Sequence, residues 1–414
     1  MPKGLNVHTE IGPLKKVMLH RPGLDMVYFG DEDFDRVWFH DALYLERAQE
    51  EHDRFAELLR QEGAEVLYLE DLLKEALDAD PDARGEFTNT YLAESRLPGK
   101  EYAAAAREFL DSIEDTGEFV KRVFRGIRRK EVELPHRSAH TLAELDATKD
   151  DPDSLIDPLP SSYFTRDAFA VVGNGVNMSH MYHYNRNRET LLGETIFTHH
   201  PEYRGVPLWY DRKSSFHTEG GDVLNFGRHT LAVGLSQRTE AAAIDQMAQN
   251  MFWGDEECEI EEILAFKIPA SYAFMHLDTV FTQVDVDKFT VHPNILGTLK
   301  VYRLTPGATK GEVRIAEIDD TLEHILEKAL GIDSVQLIEC GGGDPVLAAR
   351  EQWNDGSNTL CVKPGVVCVY ERNVVTNDLL CKNGMKLLVV PSAELSRGRG
   401  GPRCMSMPFW REEI

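Results

Sequence analysis

Short apolar runs alternating with longer helical stretches constrain this chain more than any other feature. "IGPLKKVMLHRPG" opens with an apolar run that ends at Pro22-Gly23, a strand followed by a turn. Between Asp41 and Arg60 apolar residues return at helical spacing (Leu43, Ala48, Phe55, Leu58, Leu59), and Gly63 supplies a C-terminal stop. "AEVLYL" then reads as strand and "EDLLKEALDA" as the start of a further helix. This β-α-β rhythm predicts a mixed α/β fold. It resumes further on in "AFAVVG", "HTLAVGL", "DTVFTQVD", "KFTVHP", "SVQLIEC", "NTLCVKPGVVCVYE" and "MKLLVVPS", with helices at "TEAAAIDQMAQNMF" and "DTLEHILEKALG". Strand-helix-strand units recur without a strict sequence repeat.

One stretch breaks the rhythm. Residues 75–148, with "YAAAAREFLDSIEDTGEFVKRVFRGIRR" at their centre, are rich in alanine and charge, with a period near 3.6 and few strand-like runs. They read as a helical insertion between 1–74 and 149–414. The Pro- and Asp-rich "KDDPDSLIDPLPSS" follows it. A chain of 414 residues exceeds one ordinary core and suits one large domain or two unequal parts.

Composition excludes some partners. The formal net charge of −25 repels phosphate backbones and anionic lipid and favours small cations. No apolar run approaches the roughly 20 residues that span a bilayer, and "MPKGLNVHTE" lacks the apolar region of a secretory signal. The six cysteines (258, 340, 361, 368, 381, 404) show neither a Cys-x-x-Cys pair nor zinc-finger spacing, so reduced thiols and a cytoplasmic location are expected. Nucleic acid and membrane are not expected as partners; a homo-oligomer, dimer or tetramer, remains open.

Chemistry concentrates in a few places. In "MHLDTVFTQVD", read as a strand, His276 and Asp278 share a face, an acid or base beside a carboxylate. An isolated His-x-Asp is also what a polar strand edge looks like. "FHTEGGDVLNFG" sets Glu219 and Asp222 around two glycines that let backbone approach a ligand; a tight turn with solvated acids has the same pattern. "SSYFTRDAFAVV" places Asp167 at the mouth of an apolar strand, where a ligand-binding or a capping carboxylate could sit. "IECGGGDPVL" lacks the Lys-Ser/Thr of a phosphate loop and reads as a strand-to-helix turn. The histidines of "SHMYH" (180, 183) and "THH" (199, 200) lack a metal-binding frame. In "GRGGPRCMSMPF", glycines and Arg399 and Arg403 surround Cys404. Cations favour a thiolate, so the segment reads as a mobile, electropositive tail carrying a nucleophile rather than a buried cysteine.

One thiol, one histidine and four carboxylates form an odd set for ester or peptide hydrolysis. They suit a guanidinium, whose planar N–H forks match paired carboxylates and leave its central carbon open to sulfur. The chain resembles arginine deiminase, of the guanidino-group-modifying superfamily, from "HTEIGPLKKVMLHRPG" through "FTRD", "EGGDVL", "MHLDTVFTQVD", "REQWNDGSNTL" and "YERNVVTN" to "GRGGPRCMSMP". The resemblance implies a five-bladed α/β propeller of pseudo-repeated ββαβ units with an inserted helical domain. It implies hydrolysis of L-arginine to L-citrulline and ammonia through a covalent thiouronium, without metal or cofactor. It places the nucleophile on Cys404, the acid/base on His276, and the guanidinium-binding acids on Asp167, Asp278 and Glu219, with Asp222 close by. Phe164, Arg186, Arg238, Gly398 and Arg399 would contact the rest of the substrate. The family often has Asn where Ser161 stands here, helping to hold the substrate's amino-acid end, and "FTRDA" replaces "FTRDP". Another guanidino-modifying enzyme (an amidinotransferase or a hydrolase of a modified arginine) or a non-catalytic arginine-binding protein remains an alternative.

Overall fold

The strand Leu14–Leu19 draws its two neighbours from opposite parts of the chain. It runs antiparallel to Met407–Arg411 and parallel to Glu65–Tyr68. Val17, Met18 and Leu19 are fully buried, as befits a central strand. A parallel neighbour needs a long crossover, and the helix Leu45–Gln61 provides it, turning Ala48, Phe55, Ala56, Leu58 and Leu59 inward. The chain leaves this helix through Gly63, whose φ of 94° suits glycine. A computed structural model describes residues 4–133, 142, 153–269, 274–297 and 299–414.

Among the described residues the same plan occurs five times: an antiparallel pair, a helix, then a strand parallel to the second. The second unit pairs Phe169–Val172 with Gly175–Met178 and returns through Asn187–His199 to Leu208–Tyr210. The third joins Val223–Asn225 and Thr230–Leu235 through Ala241–Trp253 to Glu262–Lys267. The fourth uses Phe281–Asp285, Lys288–Val291, the helix Leu322–Leu330 and Gln336–Glu339. The fifth uses Leu360–Lys363, Val366–Tyr370, Val374–Lys382 and Lys386–Val390. A long hairpin, Leu299–Pro306 with Val313–Asp320, interrupts the fourth unit and extends the third sheet. The chain is thus mixed α/β, and the expected strand-to-helix turn at "IECGGGDP" is present, with Asp344 accepting from the N–H groups of Val346 and Leu347.

The helical stretch begins earlier than its composition suggests. The helix Leu69–Ala79 crosses position 75, and Ala83–Glu94, Lys100–Asp111 and Thr116–Arg125 follow. Their apolar faces (Leu73, Phe87, Tyr91, Phe119, Phe124) join one core with Val171 and Phe409 of the sheets and Leu192 of the second crossover helix. Most of the remainder to 148, and the first residues of the Pro- and Asp-rich stretch, lie outside the described residues. Among the described residues no helix is long and apolar enough to cross a membrane. All six cysteines are free thiols.

A buried acid fixes the start of the C-terminal segment. Glu51, 1% exposed on the first crossover helix, accepts from the N–H groups of Ala393 (2.9 Å), Glu394 (3.0 Å) and Leu395 (3.0 Å). Removing it strands all three donors, of which the Leu395 N–H is buried. Glu51→Ala is expected to cost about 2–3 kcal/mol, read as a lowered denaturant midpoint, with Glu51→Gln losing less; unchanged midpoints for both would refute the anchoring role.

Candidate active site

Separate pieces of chain converge on one cavity, each through a tight turn. The turn Pro160–Tyr163 delivers Phe164 and Asp167 just ahead of a strand. Gly220–Asp222 follows Glu219, and Leu277–Thr279 follows His276. The turn Leu395–Gly398 leads into Arg399 and Cys404. Phe164, Asp167, Arg186, Arg238, His276, Gly398, Arg399 and Cys404 line the cavity, joined by Trp38, His40, Ser161, Met275 and Thr279. The second glycine after Glu219 has a steric reason: a Cβ on Gly221 would run into the His276 ring. The cavity holds about 20 Å³, room for about one water. A larger ligand therefore enters only if the lining moves.

His276 sits between two acids. Its Nε2 lies 2.6 Å from Glu219 Oε2 and its Nδ1 3.8 Å from Asp167 Oδ1. Burial opposes a charge on the ring, but Asp167 and Glu219 prevail and push its pKa up to about 9. Burial would also protonate Glu219, yet Arg238 and His276 hold it well below the usual carboxylate range. Arg238 Nη1 reaches both Glu219 oxygens at 3.3 Å, and its guanidinium lies over the Trp38 and Tyr182 rings.

The other two acids each share an arginine with a second carboxylate. Arg186 bonds Asp167 Oδ2 (3.0 Å) and both oxygens of Glu189 (2.9 and 2.8 Å). Arg403 bonds Asp278 Oδ2 (2.7 Å) and both oxygens of Glu10 (3.0 and 3.1 Å). Among the described residues, Asp167 Oδ1 and Asp278 Oδ1 are buried and accept no hydrogen bond. Cys404 Sγ lies 3.8 Å from Asp278 Oδ2.

Three expectations need correcting. Cys404 is buried, at 4% exposure, and so is Arg403 at 1%; the segment is not an exposed electropositive tail, because Arg403 turns inward to Glu10 and Asp278. The thiol is accordingly not activated at rest: burial and the carboxylates of Asp278, Asp167 and Asp355 push its pKa well above the ordinary value. His276 and Asp278 do not share a strand face, since Leu277–Thr279 is a 3-10 turn and the strand starts at Phe281. Asp222 is not aimed at a substrate. Its oxygens accept from Ser236 Oγ (2.7 Å), Thr239 Oγ1 (2.7 Å) and the Leu277 N–H (2.9 Å), so it braces the turn behind His276.

The remaining placements are plain. Glu219 and Asp278 sit behind the cavity wall, whereas Asp167, His276 and Cys404 line it. Arg186 and Arg238 are expected against the substrate's carboxylate. Arg186 spends its donors on Asp167, Glu189 and the Ser161 carbonyl, whereas Arg238 gives Nη1 to Glu219 and Nη2 to Met275 Sδ, and its buried Nε bonds nothing among the described residues. Arg399 stacks 3.7 Å over Trp353. Trp38 and His40, contributed by the N-terminal part, went unnoticed because lone aromatics carry no motif. Trp38 stacks 3.5 Å from His183, which gives that histidine a packing role. His180, His199 and His200 bond the Arg212 carbonyl, Asp80 and Glu75. Asp167, Glu219 and His276 lie close enough to hold a cation, but Arg186 and Arg238 already sit on those two acids.

Comparison with known proteins agrees with this arrangement. Residues 35–411 match the family model described as arginine deiminase. The chain is 50% identical over 411 residues to the arginine deiminase of Treponema denticola, covering 99% of both, and 48% identical over 415 residues to that of Clostridium perfringens, covering 100% of this chain and 99% of that one. Among solved structures, an amidinotransferase from Microseira wollei shares the fold at 14% identity and a TM-score of 0.52, with 99% of this chain and 98% of that chain covered. The inosamine-phosphate amidinotransferase of Streptomyces griseus does so at 16% and 0.52, with 100% and 98% covered. With the family match running nearly end to end, and relatives about half identical over full length, the chain belongs to the arginine deiminase family.

Proposed function

We propose that the protein hydrolyses L-arginine to L-citrulline and ammonia through a thiouronium on Cys404. The observation that carries this reading is the pair of buried oxygens without hydrogen bonds, Asp167 Oδ1 and Asp278 Oδ1, beside a thiol and an imidazolium. A guanidinium offers N–H forks to both and brings the one positive charge that these shared carboxylates lack. The relatives named arginine deiminase support the same substrate.

The resting site holds both of its protons, one on the Cys404 thiol and one on His276. A bound guanidinium offsets the carboxylates that help keep the thiol protonated, and the proton passes to a nearby acceptor; Asp278 Oδ2 lies 3.8 Å from the sulfur. The thiolate attacks the guanidinium carbon, and the tetrahedral adduct expels ammonia as the His276 imidazolium protonates the departing nitrogen. The C–N bond breaks as the C–S bond stays, leaving the thiouronium. Neutral His276 then takes a proton from water, whose oxygen adds to the same carbon. The C–S bond then breaks, the adduct's hydroxyl proton leaves with ammonia as ammonium, and citrulline is released. The proton parked on the acceptor returns to sulfur, and Asp167 and Glu219 stabilise the ring that has been reprotonated by water. Phe164 packs along the substrate, and Arg186, Arg238, Arg399 and the Gly398 backbone hold its amino-acid end. The narrow cavity requires the segments carrying Trp38 and Gly398–Gly401 to open for entry.

The five ββαβ units are read as blades of a five-bladed propeller, whose first blade the C-terminal strand completes. The helices within 75–148 form the inserted domain between 1–74 and 149–414. The free thiols fit a cytoplasmic setting.

Incubation with L-arginine should yield ammonia and citrulline in equal amounts. Transfer of the amidino group to an added amine, with no ammonia, would assign an amidinotransferase instead. Cys404→Ser should lower kcat by more than about 10³-fold, and intact mass should show no arginine-derived adduct; an active variant would place the nucleophile elsewhere. His276 is protonated below its pKa of about 9, and ammonia departure needs that proton. kcat/KM should therefore fall as pH rises through about 9. Glu219→Gln removes one of the acids that hold the proton, so the alkaline limb should move to lower pH; an unmoved limb would detach it from His276.

A further inference from the structure

Within the block "REQWNDGSNTL", Asn358 has no part in the chemistry above, yet it touches two of the groups that do. The Cys404 N–H donates to Asn358 Oδ1 at 3.1 Å, and Asn358 Nδ2 donates to the Asp278 carbonyl at 3.2 Å. Asn358 is fully buried, so both ends of its carboxamide are spent inside the site. Its own backbone is fixed. Its N–H bonds the Asp355 carbonyl (3.0 Å) across a turn in which Asp355 has a φ of 56°. The neighbouring Ser357 carbonyl accepts from Thr282 Oγ1 (2.8 Å) and Thr290 Oγ1 (3.2 Å), which tie it to the strands Phe281–Asp285 and Lys288–Val291. The contact with the nucleophile's segment is close as well: a Cβ on Gly401 would run into the Asn358 carbonyl and side chain.

We propose that Asn358 is a positioning residue, clamping the Cys404 backbone to the turn that carries Asp278 so that sulfur and carboxylate face one guanidinium carbon. Cys404 follows Gly398, Gly400 and Gly401, a segment with wide conformational freedom. A buried carboxamide that satisfies one group on each side is a means of holding two chain segments at fixed separation. Misplacement of a reacting atom by about 1 Å costs about 10²-fold in rate. The clamp acts on attack rather than on affinity, because Asn358 does not line the cavity.

This inference rests on Cys404 being the nucleophile, and the test separates the two. Asn358→Leu keeps the volume and removes both bonds. Asn358→Asp keeps the acceptor for the Cys404 N–H and loses the donor to Asp278. Single-turnover mixing with L-arginine, quenched and read by intact mass, times the appearance of the protein adduct; steady-state kinetics give kcat and KM. Asn358→Leu should form the adduct about 100-fold more slowly, with KM within threefold and circular dichroism and melting midpoint near those of the parent. Asn358→Asp should recover part of that loss. Adduct formation in Asn358→Leu within threefold of the parent overturns the proposal, as does a loss that tracks a lowered melting midpoint. If Asn358→Leu does not fold, Asn358→Asp decides: a rate between about 3-fold and 100-fold below the parent with unchanged KM supports the clamp, and a parental rate overturns it. Cys404→Ala is the control. An active Cys404→Ala overturns the nucleophile assignment; an inactive one beside a parental Asn358→Leu overturns the clamp alone.

Discussion

Buried carboxylates outnumber the cations that hold them, and the rest of the site follows from that imbalance. A charge taken out of water must be paired and hydrogen-bonded or it neutralises itself. Here Arg403 serves both Glu10 and Asp278, and Arg186 serves both Asp167 and Glu189. Each sharing leaves one oxygen of the site acid, Asp167 Oδ1 or Asp278 Oδ1, still accepting nothing among the described residues. The arrangement also shapes the fold. Glu10 and Arg403 lie near opposite ends of the chain, and their ion pair lies close to where the C-terminal strand Met407–Arg411 meets Leu14–Leu19. The closure that builds the first sheet thereby brings Cys404 to the acids.

The same imbalance sets the protons. Burial and the nearby carboxylates together keep the thiol protonated, while at the imidazole the carboxylates of Asp167 and Glu219 prevail over burial, so both groups hold their protons at rest. A cationic substrate changes the two groups in the direction the proposed reaction needs: the thiol becomes easier to ionise, while the imidazolium remains a donor for the leaving nitrogen. Charge complementarity and nucleophile activation are then a single event. A neutral ligand of the same shape would fill the space without releasing the sulfur.

Much of this was readable from sequence, for uneven reasons. The alternation of apolar runs and helices announced an α/β chain because strands need buried faces and parallel pairs need crossovers. Strands as short as Val223–Asn225 and Leu208–Tyr210 span three residues each, too few for a period to show, and the helix Val374–Lys382 buries only Thr376 and Leu380. "FTRD", "EGGD" and "MHLD" named acids that do converge, but the local arguments for them were only partly sound. His276 and Asp278 meet through a 3-10 turn, not a pleat, and Gly221 of "EGGD" makes room for the His276 ring. The burial of Cys404 was illegible because the residue that buries Arg403 is Glu10, 393 positions away. Neighbouring arginines suggest exposure and thiolate character only when no distant acid claims them.

Ser161 shows how a departure from a motif is absorbed. Its hydroxyl donates to the Trp38 carbonyl at 3.1 Å, and its own carbonyl receives Arg186 Nη2 at 3.5 Å. Trp38 has a left-handed φ of 54°, a conformation costly for a bulky residue, and the stack with His183 and the guanidinium of Arg238 accompanies it. The serine hydroxyl thus turns to the Trp38 backbone at the edge of the cavity. On the proposed reading, the amino-acid end of the substrate therefore depends on the two arginines and on the aromatic wall at Trp38, where a side-chain amide would otherwise have supplied directional hydrogen bonds. Discrimination at that end then rests on charge and shape, and the acids around the guanidinium keep the same geometry whichever way the mouth is built.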